Sequence, residues 1–327
     1  MRTHGCFLGG NWRSEGENFD VRSPFDNSVV AQVVRGGADI LEEAAETAER
    51  ASRRMAQLSP ADRAAILDRA ASLIAESREQ LASTICQEAG KPISLARAEA
   101  DSSIDTFTEA ASVARHPEVA ATDLGGYASA SDRLALVRRV PIGPILAITP
   151  FNFPLNLVAH KLAPAVAAGC PVVLKPASQT PGPALLLADI LHRAGLPSGG
   201  LSVIPSSGSD AQVLAEDERF GLLTFTGSMY VGWKLKRLAS KRRVSLELGG
   251  NAAVVVDHDT PDLENVAARI AGAAFGYAGQ SCISVQRIIV HEAVYVQLRR
   301  FLKQAAEKLT TGDPSNEATT CGPLSAQ

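Results

Sequence analysis

The sequence predicts an α/β protein built on a doubly wound parallel sheet, and three observations predict it. From residue 145 onward, short apolar runs alternate with helical stretches of ten to fifteen residues. Those runs are apolar throughout, the pattern of strands covered on both faces. Glycines stand where the helices should stop, at Gly90, Gly169 and Gly195, where a left-handed residue commonly closes a helix.

In chain order, the periodicity predicts helices over residues 41–58 and 60–89 and a third ending near Arg115, with Ser59 as a cap and Pro60 at a first helical position. The breaker "DLGGYAS" follows. "RLALVRRV" then alternates as a strand would and, punctuated by Pro141, Gly143 and Pro144, forms a short β ribbon between larger units. Next come "ILAIT", a helix over 154–168, "VVLK", a helix over 183–194, "LSVI", a short helix, "LLTF", a helix from Ser228 and "VSLEL". After these stand "AAVVV", a helix near 262–275, "RIIVH" and a helix near 292–309. This is a Rossmann-like order, and such open sheets bind ligands beyond the carboxyl ends of their strands.

Bulk properties narrow the function. The 327 residues, 46% hydrophobic and 20% charged, supply about two globular domains. With 32 Lys plus Arg against 35 Asp plus Glu, the net charge of −3 offers nothing to neutralise a phosphate backbone, so no nucleic-acid partner is expected. The five cysteines are widely spaced with no CxxC, which predicts neither disulfides nor zinc and suits a reducing cytoplasm. The most apolar stretch, "LNLVAHKLAPAVAAGCPVVL", carries His160, Lys161, Pro164 and Pro171, so no membrane span is expected. None of the six histidines falls in an HxH or HExxH pattern, and no catalytic metal is predicted.

Polar groups collect just past the strands. Gly227 in "FTGSMYVG" allows close backbone approach, and a helix opening at Ser228 would offer free N–H groups to a pyrophosphate. Without a full GxGxxG, an unliganded glycine turn is the better explanation of that stretch taken alone. Taken singly, Cys282 in "GQSCIS" is a small hydrophobe, Asn152 a turn residue before Pro154, Glu247 an ion-paired acid and Lys175 a snorkelling lysine.

Taken together they are more. "TPFNFPLNL", "KPAS", "FTGS", "ELGGN" and "GQSCIS" occur in that order, and the chain resembles the aldehyde dehydrogenase superfamily from about Phe7 onward, most of all the branch of lactaldehyde dehydrogenase-like and moss-type enzymes. The resemblance implies that Cys282 is the nucleophile, that the Asn152 amide and the Cys282 N–H stabilise an oxyanion, and that Glu247 activates water. It implies nucleotide contacts at Thr149, Pro150, Phe151, Lys175, Ser178, Gly227, Ser228, Leu248 and Gly249, with Lys175 on the adenine ribose. Ser178 stands where many NAD-specific relatives place a glutamate, so NADP or dual use is expected in place of strict NAD preference. Arg97 falls near a position that contacts a substrate phosphate in some relatives, which implies a small anionic or hydroxylated aldehyde, although a solvated helix-face arginine is the plainer reading. An acyl transferase to coenzyme A is the alternative, disfavoured by Glu247; a catalytically silent nucleotide-binding relative is a second, disfavoured by the retained Asn152, Glu247 and Cys282.

The resemblance also implies a nucleotide-binding domain over 1–122 and 142–249, a bridging ribbon over 123–141 that pairs with a neighbouring subunit in a homo-oligomer, and a catalytic domain of which 250–327 is an incomplete part. Family members are about half as long again. A downstream "E-x-F-G-P" segment and a terminal strand are therefore expected to be missing, and the chain is expected to behave as a fragment with little activity alone.

Overall fold

The computed structural model describes residues 2–325; Met1, Ala326 and Gln327, which fall within the domain boundaries expected above, lie outside them. Five short strands come first: β1 (Arg2–His4), β2 (Cys6–Leu8), β3 (Asn11–Arg13), β4 (Asn18–Arg22) and β5 (Val29–Val34). Helices α1 (Ala38–Gln57), α2 (Pro60–Glu76), α3 (Arg78–Ala89) and α4 (Ile93–Arg115) follow, then a ribbon of β6 (Val119–Asp123) and β7 (Leu134–Arg138). The alternating part runs β8 (Ile145–Ile148), α5 (Asn156–Ala168), β9 (Val172–Lys175), α6 (Gly182–Arg193), β10 (Leu201–Val203), α7 (Gly208–Leu214), β11 (Leu222–Gly227), α8 (Met229–Leu238) and β12 (Arg243–Leu248). Last come β13 (Ala252–Val256), α9 (Leu263–Phe275), β14 (Val285–Val290) and α10 (Glu292–Glu307).

The main sheet has the order β12-β11-β8-β9-β10-β2-β3. Its first five strands are parallel, while β2 joins β10 antiparallel through Phe7 and Val203, and β3 folds back on β2. The sheet is thus mixed: its five parallel strands are the doubly wound sheet expected, and an antiparallel hairpin extends it at one edge. Strands of three residues are too short to show a period, and only the tight turn at Gly9 and Gly10, with φ of 57° and 107°, marks the hairpin. Buried on both faces, β8 sends Ile145 and Ala147 into one core and Leu146 and Ile148 into the other. Helices α2 to α6 cover the first face, and α1, α7 and α8 the second.

The expected helix over 60–89 is two helices. Ser59 and Asp62 form a reciprocal capping box at the start of α2, and the chain leaves the helix at Ser77, with φ −95° and ψ 8°. Each half keeps its own apolar stripe, so the periodicity runs through the break. The ribbon begins earlier than expected, at Val119, because "VAATD" has too few strand-forming residues to announce itself. Beyond β12, β13 and β14 make a two-stranded parallel sheet packed on α9 and α10 around Val256, Leu263, Ala267, Ile270 and Leu298. Among the described residues, no helix is long and apolar enough to cross a membrane.

Strand order leaves β8 in both directions, toward β9 and toward β11. The carboxyl ends of β8 and β11 therefore flank the switch point, where an open α/β sheet has a crevice.

Candidate active site

The loop after β8 carries Asn152 and is braced from behind. The Glu99 carboxylate, on α4, accepts hydrogen bonds from the N–H groups of Leu155 at 2.9 Å and Asn156 at 3.1 Å, capping α5, which has no capping side chain of its own. Glu99 also pairs with Lys91, and both side chains are only 1% exposed. The Lys91 ammonium lies 3.7 Å from the Phe153 ring centroid and 4.7 Å from that of Tyr277. Burial pushes the Lys91 pKa down, and Glu99 opposes that shift.

Tyr277 belongs to the loop that leads to Cys282, and its hydroxyl donates to Ala89 O at 2.9 Å. Tyr277, Ala278 and Gly279 are all left-handed, with φ of 52°, 53° and 73°. For the two that are not glycine this conformation costs on the order of 1–3 kcal/mol each and survives only where the surroundings enforce it. Here the anchored tyrosine does so. Asn152 Nδ2 donates to Gln280 O at 2.8 Å, while its Oδ1 is buried without a protein partner. Gln280 is held again by the chain end, accepting from Ser325 N–H at 2.8 Å.

One cleft of about 760 Å³ gathers Asn152, Glu247 and Cys282, with Pro150, Phe151, Gly227, Ser228, Leu248 and Gly249 in its walls. Cys282 is exposed, whereas Cys6, Cys86 and Cys170 are buried. Burial pushes the thiols of Cys6 and Cys86 up to about 11, which leaves them inert near neutral pH. Another groove, of about 810 Å³ between α4, α5 and the ribbon, contains none of Asn152, Glu247 or Cys282. The switch-point cleft is where convergent polar groups make chemistry possible.

Lys161, on α5, also lines the cleft and donates to Thr224 Oγ1 at 2.9 Å. Burial pushes its pKa down to about 8, with Glu247 drawing it the other way. Sequence reasoning gave it no role, although a lysine beside His160 in the largely apolar α5 is a signal.

The residues expected to meet a nucleotide stand at and just past the ends of β8, β9, β11 and β12. A Cβ on Gly227 would stand 2.6 Å from Phe225 Cζ, so a larger residue there would have to displace the buried Phe225 ring. Ser228 is the N-cap of α8, accepting from Val231 N–H at 3.4 Å. Thr149 N–H donates to Lys175 O at 3.2 Å, and its buried hydroxyl has no protein partner. Lys175 lies one strand over, at the end of β9; it is buried, 9% exposed, and does not snorkel at the surface. Burial, with a contribution from the charge of Arg35, pushes its pKa down to about 8. Ser178 Oγ donates to Ser206 O at 3.3 Å.

Arg97 is placed elsewhere. Its guanidinium is taken up by Glu79, at 3.0 Å, and Glu317, at 2.7 Å, and it does not line the cleft.

A doubly wound sheet with a thiol, an amide and a carboxylate in its switch-point crevice fits the class of nucleotide-dependent oxidoreductases. The family model of the aldehyde dehydrogenases matches residues 12–327, and the chain belongs to that family. It is 38% identical to the 3-sulfolactaldehyde dehydrogenase of Priestia aryabhattai over 325 residues, which are 99% of this chain and 68% of that relative. It is 36% identical to the NADP-dependent succinate-semialdehyde dehydrogenase of Escherichia coli, over 98% of this chain and 66% of that one. The crystal structure of aldehyde dehydrogenase 21 from Physcomitrella patens, in complex with the product succinate, superposes with a TM-score of 0.96 at 40% identity, covering 99% of this chain and 68% of the other.

Proposed function

We propose that this chain carries the residues for NAD(P)-dependent oxidation of a small aldehyde to its acid, and the observation that carries the reading is the convergence of Cys282, Asn152 and Glu247 in one cleft at the switch point. The Cys282 thiolate adds to the aldehyde carbon, and the negative charge moves to the carbonyl oxygen. Asn152 has a second amide hydrogen beyond the one given to Gln280, and it serves that oxyanion together with the Cys282 N–H. A bound nicotinamide nucleotide, held by Thr149, Lys175, Gly227 and Ser228, would supply the acceptor for the hydride that leaves the adduct carbon. Glu247 then takes a proton from water as the hydroxide attacks the thioester carbon. Collapse breaks the C–S bond, returns the thiolate and releases the acid.

The residues fit the nucleotide. Gly227 leaves room for close approach, α8 presents its N-terminus, and Thr149 has an unpartnered buried hydroxyl at the crevice. Lys175 and Ser178, with no carboxylate between them, suit a 2′-phosphate, which favours NADP or dual use. The substrate class is a small hydroxylated or anionic aldehyde, as the names of the relatives suggest, with its anion met by groups other than Arg97. Residues 1–122 and 142–249 serve as the nucleotide-binding domain, 250–327 bring the nucleophile to it, and the ribbon over 123–141 pairs between subunits of a cytoplasmic protein.

The test is a pair of substitutions. Cys282→Ala should abolish reduced-cofactor formation, whereas Glu247→Gln should give one burst and stall as an acyl-enzyme visible by intact mass. Near-normal turnover by Cys282→Ala would sink the proposal.

A further inference from the structure

Asp257 and His258 follow β13 directly, and His291 follows β14. The strands run parallel with Val256 paired to Val290, and the His291 N–H donates to Val256 O at 2.9 Å. That register sets the three side chains together at one end of the small sheet. Their ligand atoms lie within 4.8 Å of one another, and all three residues are exposed. His258 Nδ1 donates to Asp257 Oδ1 at 2.9 Å, so an ion taking the place of that ring proton would find the two atoms near the separation of about 3.0–3.4 Å between neighbouring donors on an ion with bonds of about 2.1 Å. The two imidazoles have centroids 5.2 Å apart and are tilted by 49°, so small rotations of exposed rings bring their nitrogens onto one point.

We infer that Asp257, His258 and His291 form a binding site for a divalent transition metal ion of the zinc type, with one carboxylate, two imidazoles and solvent completing the shell. Imidazole donors favour zinc, cobalt and nickel over magnesium and calcium, which take oxygen ligands. The site is separate from the aldehyde chemistry. Gly249 and Cys282 precede β13 and β14, the three ligands follow them, and a five-residue strand spans about 17 Å. An ion there ties the two strands at the ends remote from the cleft.

Binding has a cost that limits its strength. His291 Nδ1 accepts from the Ala293 N–H at 3.2 Å, capping α10. Coordination through Nε2 moves the ring proton to Nδ1 and gives up that bond, so the affinity is moderate.

The test uses the full chain, free of tag histidines, with Cys282 and Cys321 alkylated so that accessible thiols do not compete. Cobalt(II) titration followed by visible absorption, then displacement by Zn²⁺, should show one saturable equivalent, with no displacement by Mg²⁺. Asp257→Asn, His258→Gln and His291→Gln should each weaken binding at least about tenfold, the loss that removing even an outer partner of a metal ligand brings. His116→Gln, at an exposed histidine elsewhere, should leave it unchanged. Absence of a saturable equivalent, or cobalt binding that survives His291→Gln in a variant with wild-type circular dichroism, would overturn the inference.

Discussion

Lys175 shows how burial turns an ordinary side chain into a conditional one. Its pKa of about 8 lies well below the usual lysine value, because burial penalises the charged form and Arg35 adds like charge. A phosphate dianion stabilises the ammonium, so its affinity is greatest below about pH 8, where the charge is already present. As pH rises through 8, the free protein loses a proton that the complex keeps, and affinity falls by up to about tenfold per unit until the pKa of the complex is reached. Calorimetric titration of the chain with 2′,5′-ADP and with 5′-AMP from pH 7 to 10 should show the advantage of the 2′-phosphate shrinking. A ratio that stays flat would remove Lys175 from the phosphate site. At this scale the sequence marks Cys282 and Glu247 as candidates only through motif order, since neither residue type alone distinguishes a nucleophile or a base from a packed thiol or a surface acid.

At the scale of elements, Lys91 and Glu99 hold two loops with one buried pair. Breaking such a pair by removing one charge leaves the other uncompensated, at about 3–5 kcal/mol. Glu99→Gln should therefore lower unfolding stability in urea by that order, and Lys91→Met combined with Glu99→Gln, which keeps an acceptor for the Leu155 and Asn156 N–H groups, should recover much of it. A loss below about 1 kcal/mol for the single change would show that the pair is not what braces α5. Sequence periodicity found α1, α4 and nearly every strand and helix from β8 to α10, because each presents a full apolar run. It could not find β2 and β3, which are three residues each, or the break at Ser77, across which the apolar spacing continues. Nor could it find Lys91 over Tyr277, a contact between residues far apart in the chain, or the clustering of His258 with His291 on neighbouring strands.

Across the whole molecule, stability is unevenly distributed. The two faces of the seven-stranded sheet have large cores, whereas the unit of β13, β14, α9 and α10 closes around five buried side chains. Its outer face leaves Val255 at 72% and Ile289 at 53% exposure. Two-stranded sheets depend on what packs against them. Hydrogen exchange by mass spectrometry should accordingly show the amides of β13 and β14 opening well before those of β8 and β9, and equal protection would mean that the chain opens as one unit. The pairing of Phe7 with Val203 also places a demand on synthesis. A hairpin made among the first residues has no partner until β10 leaves the ribosome, a wait of about 10–40 s at roughly 5–20 residues per second. During that interval β2 is an apolar strand with a free edge, open to the wrong partner until β10 arrives.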